Sequence, residues 1–328
     1  MSQLAEPGTR AGAAAPGGRL WGDLRGAIDG VVVGADQALR LLAVTLLAEG
    51  HALIEDVPGV GKTLLARAFA RALDLDFARI QGTPDLLPGD VTGSSVLEDG
   101  RLRFAPGPVF TNVLLFDEIN RATPRTQSAL LEAMQERQVS VDGLTHRLAD
   151  PFLVLATENP IELDGTFSLP EAQLDRFLVA LTVGYPDQES ERAIARRYRD
   201  AAEPLDRVRP VIDRAAIIGH REAARALLVA PPVESYIVDL VRETRSHPDL
   251  RLGASPRASV ALYRASQAWA YLSGRDFVLP DDVQAVAVAV LAHRVLVDLD
   301  RSLRGASPET VIAEVLARVP VDRAPGAT

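Results

Sequence analysis

The residues best suited to chemistry in this chain form a glycine-rich segment, Glu55–Thr63, with the sequence EDVPGVGKT. An apolar run precedes this segment and a stretch with helical periodicity follows it, so we predict a loop between a strand and a helix. Gly59 and Gly61 would let backbone N–H groups converge on phosphate oxygens at the positive end of the helix dipole. Lys62 would contact the β- and γ-phosphates of a nucleotide, and the hydroxyl of Thr63 would hold Mg²⁺.

The usage of basic residues supports a special role for Lys62. It is the only lysine among the 35 lysine and arginine residues. A compact, rotatable ammonium fits between phosphates, where a planar guanidinium substitutes poorly. The strict pattern G-x-x-x-x-G-K-[ST] has glycine at the position of Asp56, however, and the pattern therefore fails here. On the loop alone, a plain glycine-rich turn between a strand and a helix is the alternative.

Two carboxylates end a second apolar run, where Val113–Phe116 is followed by Asp117 and Glu118. The last residues of a parallel strand lie at the edge of the sheet where a phosphate loop also lies. Asp117 would hold Mg²⁺, directly or through water, and Glu118 would orient and polarise the water that attacks the γ-phosphate. In isolation, the same pattern fits a strand that ends in a solvated acidic turn.

Three further polar residues are candidates because of the motifs around them. Asn159 follows the apolar run Phe152–Ala156, and its amide could hydrogen-bond the γ-phosphate and the attacking water without adding negative charge. Asn before Pro is by itself an ordinary turn signal. Arg176 could neutralise the phosphoryl group bound to a neighbouring subunit. Arg257 lies in the first turn of a predicted helix, where a nearby anion would offset the unfavourable position of a cation. The default for any single arginine is a solvated surface residue.

Apolar runs and helical stretches alternate up to about residue 183, and this predicts an α/β fold with a parallel sheet covered by helices on both faces. Asp-Gly pairs at Asp99-Gly100 and Asp142-Gly143 predict two β-hairpin inserts. From Tyr185 onward the pattern predicts a small all-α lid domain. We expect a disordered tail at 1–18, a nucleotide-binding domain at 19–184 and the helical lid at 185–324. Among the predicted helices are those at 35–48, 124–136, 232–246, 256–273, 280–297 and 308–318, and three predicted N-caps are Asp187, Ser255 and Ser307.

The composition excludes several classes of function. The formal charge of −9 and the pI near 5.2 disfavour a surface built mainly for nucleic acid. The chain has no cysteine, so disulfides, thiol nucleophiles and cysteine-ligated metals are impossible. The five histidines lack metal-binding spacing, and no G-x-S-x-G motif is present. No long apolar run and no hydrophobic signal-peptide core is found, so the sequence predicts no membrane insertion and a cytoplasmic location.

At this point the sequence resembles the MoxR family of AAA+ ATPases from about Val31 to Val319. The similarity rests on the segments Glu55–Thr63, Phe116–Ala122, Ala156–Pro160, Glu171–Phe177 and Gly253–Arg257. The resemblance implies ATP with Mg²⁺, Asn159 as sensor 1, Arg176 as an arginine finger acting in trans and Arg257 as sensor 2 acting in cis. Asp56 resembles what MoxR members carry, whereas Glu158 stands where glutamine is usual. We assign nucleotide binding to Val33, Gly34, Pro58, Gly59, Val60, Gly61, Lys62, Thr63 and Leu64.

The resemblance also implies a ring, commonly a hexamer, with nucleotide at the subunit interfaces. The two hairpins resemble the helix-2 and pre-sensor-1 inserts of this clade. The family implies chaperone-like maturation of a protein partner, including partners with von Willebrand factor A domains. Three alternatives remain: a magnesium-chelatase-like metal-insertion motor, a nucleic-acid motor, and a scaffold that binds ATP without appreciable hydrolysis. The net negative charge of the chain disfavours the nucleic-acid motor. The presence of all the predicted catalytic residues disfavours the scaffold.

Overall fold

The computed structural model describes residues 15–159, 165–197 and 204–321. Three parts of the predicted features lie outside this description: the expected tail up to residue 14, Pro160 at the end of the similarity segment Ala156–Pro160, and the lid residues 198–203 and 322–324. Helix α1 (Pro16–Ile28) begins inside the segment expected to be tail. Gly17, Leu20, Leu24 and Ile28 bury one face of α1, and the helix begins three residues before the expected start of the domain at residue 19.

A five-stranded sheet forms the centre of the first domain. Its order is β2 (Phe77–Gln81), β5 (Val113–Asp117), β8 (Leu153–Glu158), β1 (Ala52–Glu55) and β9 (Val179–Leu181). Every pairing is parallel, as the continuous apolar runs predicted. The carboxyl ends of β1, β5 and β8 therefore lie at one edge of the sheet, with the loop after β1 beside them.

The strands alternate between two hydrophobic clusters, one on each face of the sheet. In β5, Val113 and Leu115 join the cluster that contains α2 (Asp36–Leu47) and α3 (Lys62–Ala72), while Leu114 and Phe116 join the cluster that contains α5 (Pro124–Glu136). This alternation follows from the two-residue period of a strand. The prediction of a sheet covered by helices on both faces is confirmed. Two short helices complete this domain, α4 (Pro88–Thr92) and α6 (Glu171–Leu174).

Both predicted hairpins are present. The first joins β3 (Gly93–Glu98) to β4 (Arg101–Pro106), and the second joins β6 (Gln138–Val141) to β7 (Leu144–Arg147). Each Asp-Gly pair supplies two positive φ angles, 51° and 73° in the first turn and 50° and 79° in the second. Phe104 stacks on His146 with ring centroids 4.0 Å apart, so the two hairpins pack against each other.

Helices dominate the second domain. They are α7 (Gln188–Arg197), α8 (Arg214–Arg225), α9 (Pro231–Ser246), α10 (Pro256–Leu272), α11 (Pro280–Leu291), α12 (Leu299–Ser302) and α13 (Pro308–Arg318), with the short pair β10 (Leu250–Leu252) and β11 (Leu296–Val297). The predicted N-caps are confirmed, since Asp187, Ser255 and Ser307 accept hydrogen bonds from the backbone at Ser190, Arg257 and Thr310.

The predicted helix at 280–297 is wrong, because α11 ends at Leu291 and a single 3₁₀ turn, Ala292–Arg294, follows. This turn directs the Arg294 guanidinium towards the backbone carbonyls of Phe177 and Leu178 in the first domain. A contact between domains thus overrides the continuous apolar periodicity of the local sequence. The sequence did not predict α8, which packs against α2 and α10.

Candidate active site

The glycine-rich loop lies between β1 and α3. Gly59 and Gly61 have φ angles of 87° and 90°, which favour glycine. Gly61 is the N-cap residue of α3, so no side chain covers the N–H groups of the first turn, which also lacks acidic residues. Thr63 lies in that turn, half-buried. This arrangement leaves the positive end of the helix dipole open to an anion.

Lys62 folds back over this loop. Its ammonium donates to the carbonyls of Asp56 at 2.7 Å and Val57 at 3.0 Å. Burial lowers the pKa of Lys62, and the charges of Asp56, Asp117 and Glu118 oppose that shift. The ammonium therefore lies within electrostatic reach of both carboxylates that end β5.

Asp56, which breaks the strict loop pattern, is buried and fully engaged. Its Oδ1 accepts from the backbone N–H of Val57 at 2.9 Å, and its Oδ2 accepts from those of Val183 and Gly184 at 2.7 Å each. Val183 and Gly184 follow β9 and lead into the lid. The carboxylate thus joins the loop to the segment between the two domains, a contact that glycine could not make.

Asp117 is held by two residues that the sequence analysis did not single out for the site. Its Oδ1 accepts from the Thr157 hydroxyl at 2.7 Å. Its Oδ2 accepts from the Arg79 guanidinium at 2.7 Å, and the Asp117 side chain is only 13% exposed. Arg79 lies on the edge strand β2 in register with Leu115, so its side chain reaches Asp117 two residues further along β5.

Glu118 follows β5 in a left-handed conformation with φ of 56°. Its N–H donates to the Thr157 hydroxyl at 2.8 Å, and its Oε2 accepts from the Gln81 amide at 2.8 Å. Arg121 approaches the same oxygen at 3.4 Å. A Cβ at Gly82 would lie 2.1 Å from the Glu118 carbonyl oxygen, so only glycine fits there. Gln81 thus holds the carboxylate of Glu118, and Thr157 holds the backbone that carries it.

β8 ends at Glu158, and Asn159 is the next residue. Glu55 and Glu158 face each other in register on adjacent parallel strands. Burial, together with the charge of Glu55, raises the pKa of Glu158 to about 7. The residue beside Asn159 therefore takes up a proton near neutral pH.

The remaining predicted residues lie at separate places. Arg176 donates to the carbonyl of Leu131 on α5 at 2.9 Å and lines a groove beside that helix. Arg257 is exposed in the first turn of α10. Gly34, with φ of 78°, lies against Ser190 at the start of α7, and Val33 beside it is half-buried. All seven residues of the predicted loop set, Pro58–Leu64, are partly or fully exposed.

The residues that the sequence analysis missed are Arg79, Gln81, Gly82 and Thr157. A weak signal for the first two was available, since polar Arg79 and Gln81 flank the buried Ile80 on a strand. No signal indicated which strand lies beside β2. In the part of the chain that the structure describes, no helix is long and apolar enough to cross a bilayer.

Comparisons with known proteins agree with this architecture. Residues 51–179 match the ATPase family associated with various cellular activities (AAA), and residues 242–315 match the AAA lid domain. The chain is 46% identical over 300 residues to YeaC of Bacillus subtilis, covering 90% of this chain and 93% of YeaC. It is 44% identical over 300 residues to the chaperone MoxR1 of Mycobacterium tuberculosis, covering 88% of this chain and 79% of MoxR1. The crystal structure of a candidate ATPase from Cytophaga hutchinsonii has a TM-score of 0.87 and 36% identity, covering 94% of this chain and 97% of that one.

A parallel five-stranded sheet with a glycine-rich loop, followed by a helical lid, defines the AAA+ class of nucleotide-binding domains. Within that class, this chain belongs to the MoxR family of AAA+ ATPases. The family and its chaperone-like members support ATPase activity and nucleotide binding.

Proposed function

We propose that this chain hydrolyses ATP at the interfaces of a ring of identical subunits, a hexamer, and thereby remodels or matures a protein partner. The observation that carries the proposal is that the loop bearing Lys62 follows β1 at the same edge of the parallel sheet where β5 ends in Asp117, with Glu118 next in the chain. A lysine on a glycine loop beside two carboxylates that end a parallel strand is the combination that nucleotide hydrolysis requires.

The residues present fit ATP and Mg²⁺. The N-terminus of α3 has a glycine cap and no acidic residue, so it suits the phosphates. Within the described residues, a Cβ added at Gly59 or Gly61 would meet nothing within 4 Å, so there is space for a ligand beside the backbone. The hydroxyl of Thr63 and the carboxylate of Asp117 are the oxygen ligands that Mg²⁺ prefers. When bound, Mg²⁺ would neutralise charge that develops on the phosphates.

The side chains at the edge of the sheet take separate roles in this proposal. Lys62 binds the phosphates, and Glu118 orients and polarises the attacking water. Gln81 and Thr157 hold Glu118 at its side chain and its backbone N–H, at 2.8 Å each. Asn159 binds the γ-phosphate and the water. The assigned loop residues, together with Val33 and Gly34, surround the rest of the nucleotide.

The two arginines act from outside the loop. The guanidinium of Arg176 is bound to the backbone of α5, whereas Lys62 is bound to the loop itself, and this supports action of Arg176 on the nucleotide of a neighbouring subunit. Arg257 is exposed at the positive end of α10, where an anion would offset the unfavourable position of its charge. By the resemblance to the family, we propose that Arg257 acts on the nucleotide of its own subunit, from the lid.

Measurement of phosphate release by the purified protein tests the proposed hydrolysis of ATP. Glu118→Gln is expected to bind a fluorescent ATP analogue normally and to lose at least about 100-fold in turnover, while Lys62→Ala is expected to lose binding. Glu191→Gln, an exposed carboxylate on α7, is the matched control and retains full activity. Full turnover by Glu118→Gln would contradict the assignment.

The partner is proposed to be a protein with a von Willebrand factor A domain. Glu118→Gln held in ATP should retain its partner, so affinity purification of this variant with mass spectrometry identifies it. Release of the captured protein on exchange of ATP for ADP is the expected result. Stimulation of ATPase activity by a tetrapyrrole-binding protein would instead favour the magnesium-chelatase-like alternative, and salt-sensitive binding of DNA or RNA would favour the nucleic-acid motor.

A further inference from the structure

Asp175, the residue before Arg176, is the point at which the lid contacts the segment that carries the proposed arginine finger. Its Oδ2 accepts from the Ser255 hydroxyl at 3.0 Å, and its Oδ1 accepts from Arg294 Nε at 2.9 Å. Both donors belong to the lid. The Asp175 side chain is 15% exposed and that of Arg294 only 3%, so water weakens this ion pair little.

The lid also holds the backbone that follows Arg176. Arg294 donates to the carbonyls of Phe177 and Leu178, and His293 Nε2 donates to the Phe177 carbonyl at 3.1 Å. Burial lowers the pKa of His293 well below its usual value, so the ring is neutral and makes this contact without a charge. The segment on both sides of Arg176 is therefore bound to the lid through hydrogen bonds.

The contact at Ser255 reaches the other proposed nucleotide-binding arginine. Ser255 is the N-cap residue of α10, and its hydroxyl accepts from the Arg257 N–H at 3.1 Å while it donates to Asp175. One hydroxyl thus connects the first turn of α10 to Asp175. A movement of that turn would therefore act on Asp175 through a single hydrogen bond.

The first domain restrains Arg176 from the opposite side. The Phe177 ring is fully buried in the cluster that contains α5, and the Arg176 guanidinium is bound to the Leu131 carbonyl. Arg176 Nε is buried and has no hydrogen-bond partner among the described residues. Asp175 is bound to the lid, whereas the Phe177 ring is packed in the first domain. A movement of one domain relative to the other would therefore displace Arg176, which lies between these two residues.

We propose that Asp175 is a positioning residue that transmits the lid position of one subunit to Arg176, and thus to the nucleotide site of the next subunit. This inference rests on the proposed function, in which Arg257 contacts the nucleotide in cis and Arg176 acts in trans. Nucleotide in one site would move α10, the Ser255–Asp175 contact would carry the movement, and Arg176 would change its fit to the neighbouring site.

The test compares Ser255→Ala and Asp175→Asn with a matched control, Ser307→Ala. Ser307 is also a serine N-cap followed by proline in a lid helix, but its partner is Thr310 of its own helix. Loss of the cap should destabilise both helices to a similar extent, so the thermal unfolding midpoints of the two serine variants should differ only by the loss of the Ser255–Asp175 hydrogen bond. Only Ser255→Ala breaks the connection to Asp175.

The first readout is the dependence of the ATPase rate on ATP concentration in the assembled ring. We expect cooperativity in the parent and in Ser307→Ala, and a Hill coefficient that falls to about 1 in Ser255→Ala and Asp175→Asn. A parent without cooperativity, or a Ser255→Ala variant with the Hill coefficient of the parent, would overturn the inference. A complete lack of ATP hydrolysis by the parent would instead contradict the proposed function.

The second readout does not need hydrolysis. In the Glu118→Gln background, ATP should change hydrogen exchange of the amides in residues 175–178, and added Ser255→Ala or Asp175→Asn should abolish the change while ATP binding persists. Added Ser307→Ala should leave the change intact. An ATP-dependent change that survives Ser255→Ala and Asp175→Asn would show that the coupling does not pass through Asp175.

Discussion

The carboxylate of Asp56 lies 2.7 Å from the backbone nitrogen of Gly184, although 128 positions separate the two residues in the chain. Asp56 begins the glycine-rich loop, and Gly184, with φ of 74°, stands where the sheet domain leads into the lid. The residue that makes the loop depart from the strict phosphate-binding pattern therefore has a structural function. It joins the proposed phosphate site to the segment between the domains.

Replacement of Asp56 by glycine would restore the strict pattern but should destabilise the protein. The backbone N–H groups of Val183 and Gly184 would lose their acceptor, at about 1–3 kcal/mol for each group left unpaired. Thermal unfolding should show a lower midpoint, and hydrogen exchange should accelerate at these two amides. Asp56→Asn keeps one oxygen and should be intermediate, whereas Asp142→Asn on an exposed hairpin turn should match the parent. Equal stability of Asp56→Gly and the parent would contradict this role.

Thr157 is expected to be a positioning residue for both carboxylates of the site. Thr157→Val removes the hydroxyl that donates to Asp117 and accepts from the Glu118 N–H. We expect ATP turnover to fall about 10–100-fold, as for other residues that orient ligands of a metal site, with little change in the affinity for nucleotide. Thr157→Ser keeps the hydroxyl and should retain most of the turnover. Steady-state kinetics with a separate binding titration distinguish the two effects, and an active Thr157→Val variant would refute the assignment.

The buried carboxyl of Glu158 should make stability depend on pH. Burial and the charge of Glu55 raise its pKa from 4.5 to about 7, so between these values the folded protein keeps a proton that the unfolded chain has lost. The stabilising contribution of this proton is complete below the unfolded pKa and is lost as the pH rises through the folded pKa.

Glu158→Gln should therefore stabilise the protein at about pH 8 by roughly 1–3 kcal/mol relative to its effect at about pH 4. Chemical unfolding at a series of pH values measures this difference. Glu191→Gln, which replaces an exposed carboxylate, should show no such trend. A pH-independent difference between Glu158→Gln and the parent would show that Glu158 titrates normally.

Periodicity and turn chemistry predicted the elements of this fold well. Continuous apolar runs such as Val113–Phe116 indicated buried parallel strands, and each Asp-Gly pair indicated a hairpin turn with positive φ angles. The serine-proline pairs marked the starts of α10 and α13. These signals are local, so one short segment contains all the information that they need.

Contacts between distant segments could not be predicted in the same way. The ion pair of Arg79 with Asp117 depends on β2 lying beside β5, and the pattern of either strand alone does not specify its neighbour. Arg294 lies in what reads as a continuous helix, yet it binds Asp175 across 119 positions. The loop was predicted from its sequence, whereas the residues that hold its carboxylates depend on the sheet order.

The most direct test of the central proposal, that Arg176 completes the site of a neighbouring subunit, mixes two inactive variants. Glu118→Gln keeps Arg176, and Arg176→Ala keeps Glu118, so a ring that contains both has interfaces with every required residue. We predict that each variant alone hydrolyses ATP at least about 100-fold more slowly than the parent, and that rings co-assembled from both recover a substantial part of the parental rate. Co-assembled rings with no more activity than the separate variants would contradict the account.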